Sequence, residues 1–257
     1  MVPEIGLGTW KYKGGPEPLR KGIELGATLI DTAEMYKTED AVGAAIKDRR
    51  DKVFLATKVL GSNLRRDAVL RAAEKSLRLL DDDVIDLYQI HWSNRSVPIA
   101  ETMGAMEELV DWGMVRYIGV SNFSVAEMKD AQQAMTNNPL VSNQVLYNLK
   151  QRQIERYLIP YCMDNNITVI AYTPLADGSL SGKSRFRSDR GESTLEQVAK
   201  EVDKTPAQVA LNWCLSRPNV IVIPKSNSVE RTVENCRASG WSLSTNQVQS
   251  LDAAFPQ

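Results

Sequence analysis

The chain of 257 residues has a single histidine, His91, and only three cysteines, Cys162, Cys214 and Cys236. One histidine excludes a His-Glu-x-x-His zinc helix and argues against any transition-metal centre held by the protein. The cysteines show no Cys-x-x-Cys spacing and leave an odd one over, which fits incidental thiols in a reducing compartment better than a disulfide framework. No basic start and apolar run follow Met1, and no stretch approaches the ~18 apolar residues of a membrane span. An excess of either charge is also missing, with 31 Lys and Arg against 32 Asp and Glu. That balance disfavours a nucleic-acid partner, which needs cations to neutralise phosphates. The expectation is a soluble cytoplasmic protein with no metal, membrane or nucleic-acid partner.

A hydrophobic content of 43% is ample for a folded core, and its distribution is ordered. Short apolar runs at 5–8, 28–31, 53–57, 85–90, 115–120, 141–145, 168–172 and 220–223 alternate with longer segments of helical period. This alternation predicts parallel strands with crossover helices, and eight βα units in a chain of this length predict an α/β fold of the (β/α)8 TIM-barrel type, one domain over residues 1–257. Helix ends are marked as well. Ser124 with Glu127, Ser193 with Glu196 and Ser244 with Gln247 have capping-box spacing. Thr205-Pro206 predicts a capped start with proline at the first helical position. Val69, Ala73, Leu77 and Leu80 form one helix face.

In such a barrel the reacting groups sit at the C-terminal strand ends. Asp31 closes the second run, with Tyr36 one short turn beyond, Lys58 ends the third and His91 the fourth. A lysine at the end of an apolar strand needs an anion, and Asp31 lies on the neighbouring strand. An ammonium beside the phenol of Tyr36 would favour phenolate and lower its pKa, giving a general acid. After the eighth run, Lys225-Ser226-Asn227 leads into a helix whose amides could hold a phosphate, with Lys225 and Arg231 supplying positive charge. Gly6-Leu7-Gly8 fails the dinucleotide fingerprint at its third glycine, so a nucleotide would have to bind by another route. The Gly- and Ser-rich segment 176–192, with Lys183, Arg185, Arg187 and Arg190, reads equally well as a solvated loop or an anion-binding flap.

Taken in order, GLGTW (6–10), DTAEMY (31–36), TKV (57–59), DLYQIHW (86–92), GVSNF (119–123), NQVLYN (143–148) and IPKS (223–226) make the chain resemble the aldo-keto reductases over almost its whole length. The resemblance implies NADP(H) as cofactor, reduction of small aldehydes or ketones, and a monomer. It makes Asp31, Tyr36, Lys58 and His91 the catalytic tetrad, Tyr36 being the proton donor. It assigns Lys225, Ser226, Asn227, Arg231, Glu234 and Asn235 to the adenosine phosphate end, Ser121, Asn122 and Gln144 to the carboxamide, and Tyr172 to the nicotinamide face. Gly8, Thr9 and Leu175 lie along the cofactor path. Trp10, Tyr12 and Trp92 are expected to form an aromatic substrate wall.

Three departures from the family pattern carry expectations of their own. The first strand comes within a few residues of Met1, where relatives begin with a hairpin that covers the barrel floor, so a stability cost is expected there. The chain stops soon after its last helix, where many relatives fold a long tail over the pocket, so a more open site and broad specificity are expected. Lys37 follows the tyrosine where many members have glycine, leaving the local loop shape open. Two other readings share these residues: an NADPH-binding accessory or structural protein without turnover, and a barrel enzyme using the Lys225 region for a phosphorylated substrate.

Overall fold

The computed structural model describes residues 2–182 and 190–256. Eight parallel strands lie side by side in chain order: β1 (Leu7–Gly8), β2 (Leu29–Asp31), β3 (Phe54–Val59), β4 (Ile85–Ile90), β5 (Val115–Ser121), β6 (Leu140–Leu146), β7 (Thr168–Tyr172) and β8 (Val220–Val222). Each coincides with one of the apolar runs read from the sequence. Beyond the ladder, the Gly6 amide donates to Val222 O at 2.8 Å and the Val222 amide to Glu4 O at 2.9 Å. Parallel bridges there join Ile5 to Val222 and Gly8 to Lys225, curling the sheet into a barrel-like surface.

Among the described residues ten α-helices accompany the sheet: α1 (Pro16–Glu24), α2 (Glu39–Ile46), α3 (Arg66–Leu80), α4 (Ile99–Asp111), α5 (Val125–Ala134), α6 (Leu158–Asp164), α7 (Arg190–Glu201), α8 (Pro206–Leu215), α9 (Val229–Cys236) and α10 (Thr245–Ala254). None is long and apolar enough to cross a membrane. Ser124 and Ser244 cap α5 and α10 with both hydrogen bonds of the capping box, and Thr205 with Gln208 does the same for α8, where Pro206 occupies the first turn. Ser193 is a correction: α7 already runs from Arg190, so this serine lies inside the helix rather than at its cap. Helical backbone through 190–193 places the Thr194 hydroxyl on Arg190 O at 2.9 Å, an i−4 bond that only an existing turn allows. The α3 face is buried as expected, each of its four apolar residues being at most 7% exposed.

Both faces of the strands are covered, which is why they read as apolar runs instead of alternating ones. Leu29, Ala56, Leu87, Ile170 and Ile223 make a small interior cluster. Their neighbours Ile30, Leu55, Tyr88 and Val169 point outward into the larger core shared with the helices. Side chains alternate along a strand, so Asp31, Lys58, His91 and Tyr172 face inward, two or four positions after an interior residue. At Gly119 a side chain would strike the Ser142 hydroxyl across the interior, so that strand approaches its neighbour closely only as glycine.

Gly43 of α2 packs its backbone on the end of α3, where an added Cβ would meet the Leu80 carbonyl. Replacing Gly43 by Ala is expected to destabilise by about 1–3 kcal/mol through overpacking, with a Tm loss of roughly 2–4 °C per kcal/mol. Thermal unfolding checks this, and an unchanged Tm would show that the α2–α3 contact can open.

Candidate active site

Lys58 organises the interior end of the barrel. Its side chain is fully buried, and Nζ donates to both carboxylate oxygens of Asp31 at 2.7 and 2.8 Å, to Thr32 O at 2.8 Å and to the phenol oxygen of Tyr36 at 3.4 Å. Burial pulls the ammonium below its usual range and the Asp31 charge opposes that pull. Gln144 Nε2 donates to Asp31 Oδ1 at 2.7 Å, so the carboxylate is held from a second side. Breaking such a pair by removing one partner costs about 3–5 kcal/mol, because the other charge is left buried and unpaired.

Tyr36 stands on a turn of 3-10 helix, Glu34–Tyr36, that Lys37 ends in the left-handed region at φ 55°. Three threonines bind this loop to β1 and β2. Thr9 Oγ1 donates to Asp31 O at 2.9 Å, and the Thr38 hydroxyl lies 3.1 Å from that of Thr9 and 3.0 Å from that of Thr32. The expected lowering of the phenol pKa is overturned in the chain by itself. Burial pushes Tyr36 well above the ordinary tyrosine range, with Asp31 adding to the rise. Desolvation of a phenolate outweighs the one cation, whose charge Asp31 has already balanced.

His91 follows β4 with its amide on Val59 O at 3.1 Å, and Asn122 Nδ2 donates to its carbonyl at 3.2 Å. Its ring stacks on Trp92, with centroids 3.9 Å apart and planes 13° apart, and meets Tyr36 edge-on at 5.5 Å. Nδ1 is buried without a hydrogen-bond partner. Burial, helped by the Lys58 charge, pushes the imidazole down from 6.5 to about 3, so it is neutral at physiological pH.

A cavity of about 680 Å³ runs from these groups to the ends of β7 and β8. Asp31, Tyr36 and His91 line it, whereas Lys58 lies behind Asp31 and does not. Gly8, Thr9, Ser121, Asn122 and Gln144 form its middle, Tyr172 and Leu175 one side, and Lys225, Arg231, Glu234 and Asn235 the far end. Asn122, at φ 61°, accepts the Tyr172 hydroxyl at 2.9 Å, and Ser121 Oγ donates to Gln144 O at 2.8 Å. Burial together with the nearby charges of Arg231 and Lys11 pushes Lys225 down. Trp10 and Trp92 flank the mouth, 44% and 42% exposed, with Trp10 5.0 Å from the Tyr36 ring.

Besides Lys58, three expected residues are not brought to the cavity. Tyr12 is 7% exposed and donates its hydroxyl to Gly15 O at 2.5 Å, so it braces its own loop instead of forming a substrate wall. Ser226 Oγ donates to Ser228 O at 2.9 Å, and Asn227 Oδ1 accepts the Lys13 amide at 3.0 Å; both shape the loop beside the cavity. The amide at Arg231 is already taken by the cap Ser228, which narrows the anion-binding end of α9. Lys183, Arg185 and Arg187 lie outside the described residues, while Asp177, Gly178 and Ser181 of the same segment line the cavity. Met35 and Lys11 also line it and went unnoticed in the sequence, although each adjoins a residue already singled out.

An eight-stranded α/β barrel-like sheet with a buried Asp-Lys pair, a phenol and an imidazole at the strand ends is an arrangement suited to oxidoreductase chemistry. The sequence profile of the aldo/keto reductase family matches residues 4–255, and the chain belongs to that family. It is 38% identical to the methylglyoxal reductase YeaE of Escherichia coli K12, over 99% of this chain and 92% of that protein. To the glyoxal reductase of Bacillus subtilis 168 it is 34% identical, over 98% of this chain and 88% of the relative. A crystal structure of an aldo-keto reductase from Klebsiella pneumoniae in complex with NADPH superposes with a TM-score of 0.91 at 39% identity, covering 99% of this chain and 92% of that one.

His91 is expected to remain neutral from pH 8 to below pH 5. Because the unfolded histidine takes up its proton near pH 6.5 and the folded one only near 3, this group's contribution holds stability at its full value above 6.5 and erodes it as pH falls towards 3. The imidazole proton resonance of tag-free protein reads one residue, and a titration midpoint near 6.5 would refute the assignment.

Proposed function

We propose that the chain is an NADPH-dependent reductase of small aldehydes and ketones, dicarbonyls included, built on a closed (β/α)8 barrel forming one domain. The observation that carries the reading is the Lys58 ammonium bonded at once to Asp31 and to the Tyr36 phenol, beside His91 on a cavity wall. The bridges of Ile5 and Gly8 to the β8 side support closure. The relatives named for methylglyoxal and glyoxal support the substrate class, and three free thiols support a reducing, cytoplasmic setting.

The residues present fit a phosphorylated dinucleotide. Lys225 and Arg231 offer positive charge at one end of the cavity, and Asn122, Gln144 and Tyr172 offer polar and aromatic surface near its middle. Ser121 stands beside them, with Gly8, Thr9 and Leu175 along the path and Glu234 and Asn235 at the adenosine end. When bound, NADPH supplies the hydride that reduces the carbonyl carbon.

The chain's own groups do the rest. Tyr36 is protonated, as its burial requires, and donates its Oη proton to the carbonyl oxygen as that oxygen gains negative charge. An ammonium at 3.4 Å stabilises the phenolate left behind, so the charge that is too costly at rest is met when it forms. Neutral His91 orients the carbonyl. A proton on Nδ1 would be a buried donor without a partner, so the imidazole N–H sits on Nε2. Trp10 and Trp92 give an apolar flank to the substrate and keep water from the donor.

Two measurements test the reading. With NADPH and methylglyoxal or another small aldehyde, Tyr36→Phe is expected to lower kcat by about 10²–10⁴ while leaving NADPH affinity within about twofold. Wild-type turnover in this variant would overturn the mechanism, and tight NADPH binding without turnover by the wild type would make the chain a binding protein. Arg231→Ala is expected to weaken NADPH binding by about 10- to 100-fold, the loss of a charge-assisted contact, and NADH binding far less. Equal losses for both would remove Arg231 from phosphate recognition.

A further inference from the structure

Two carboxyl groups bracket the Tyr36–Lys58 contact from opposite sides. Glu34, two residues before Tyr36, accepts the amide of Leu60 at 3.0 Å and the Asn63 side chain at 2.9 and 3.2 Å. Leu60 stands two residues after Lys58. Glu39, three residues after Tyr36, accepts the Thr57 hydroxyl at 2.6 Å, and Thr57 immediately precedes Lys58. The two bonds therefore tie both ends of the Tyr36 turn to both flanks of Lys58 on β3. The threonine chain does not make this connection, since it joins the loop only to β1 and β2.

Glu39 is an expensive way to hold a loop. It is 1% exposed, packed between β3 and the helices, and among the described residues no cation lies within ion-pair distance of its carboxyl. Burial pushes its pKa up, with Glu34 contributing and Lys75 opposing. Thr57 points outward and Lys58 inward, so a displacement of Glu39 on the helix side of the strand reaches the ammonium on its other side through one peptide. Proton donation depends steeply on that placement, because misplacement by about 1 Å can cost as much as 10²-fold in rate.

We propose that Glu34 and Glu39 are positioning residues, a two-point clamp that fixes the Tyr36 turn against β3 and so sets the Tyr36 Oη–Lys58 Nζ separation. The inference rests on the reductase reading for its kinetic consequence but not for its geometry.

The test uses the intact protein and the variants Glu34→Ala, Glu34→Gln and Thr57→Val, followed by NADPH oxidation against pH and by the His91 resonance. His91 meets the Tyr36 ring edge-on, so its shift reports the placement of that ring without turnover. Glu34→Ala and Thr57→Val are expected to lower kcat by about tenfold or more, with KM for aldehyde and NADPH within about twofold. The basic limb of the pH profile should move upward, because a phenol farther from the ammonium is harder to ionise, and the His91 resonance should shift. Glu34→Gln, whose amide oxygen can still accept the Leu60 amide, should recover most of kcat. Wild-type kcat, limb and resonance in Glu34→Ala would overturn the clamp, as would a loss of kcat with limb and resonance unmoved, which marks plain structural damage. Should Thr57→Val fail to fold, Glu34→Ala decides alone. If the wild type turns over no carbonyl, the reductase reading falls, and the His91 resonance then decides the clamp: a shift supports it, none refutes it.

Discussion

The ion pair between Lys58 and Asp31 is the constraint around which the barrel interior is arranged. A lysine with no solvent exposure is tolerable only if its three donors are met, and here one strand and the loop after it meet them: Asp31 from β2, Thr32 just beyond it, and Tyr36 from the following turn. Gln144 secures the same carboxylate from β6, across the interior. The pair therefore links β2, β3 and β6 at the level where the cavity begins, and the Tyr36 phenol meets the same ammonium as an uncharged partner.

Electrostatics at this site works by withholding stabilisation as much as by giving it. Burial keeps Tyr36 in its protonated form and His91 in its neutral form, both displaced away from charge by the same dry surroundings. A phenol already ionised at rest would have no proton to give, and an imidazolium beside Lys58 would add a second cation where only one is balanced. The arrangement is thus prepared for charge that appears during the reaction and is hostile to charge that precedes it. At the far end the balance is reversed. Lys225, Arg231 and Lys11 stand close enough for the other two charges to pull Lys225 down, which suits a ligand that brings its own negative charge.

Much of this was legible in the sequence because the barrel writes its layers into every strand. Runs apolar on both faces gave eight parallel strands, and the polar residues ending three of them, Asp31, Lys58 and His91, are brought together around Tyr36. What escaped had no periodic signature. Tyr12 looked like its aromatic neighbours, yet a glycine-rich bend turns it away from the cavity onto Gly15. Ser193 had the spacing of a cap, but spacing is silent about where helical backbone begins. The direction of the Tyr36 shift depended on how dry the site is, a three-dimensional quantity. Glu34 and Glu39 carry no sequence signal of their own, since their partners Leu60 and Thr57 are brought near only by the β2–β3 pairing.

The alternation that sends Lys58 inward and Thr57 outward also guards assembly. A slip of β3 by one residue would exchange the two faces, taking Lys58 away from Asp31 to the side where Glu39 receives Thr57, and leaving Asp31 opposite a threonine. Such a misregistered barrel would leave the Asp31 carboxylate buried without its cation. The lysine that pairs with Asp31 therefore also helps to fix the register of the strand that carries it.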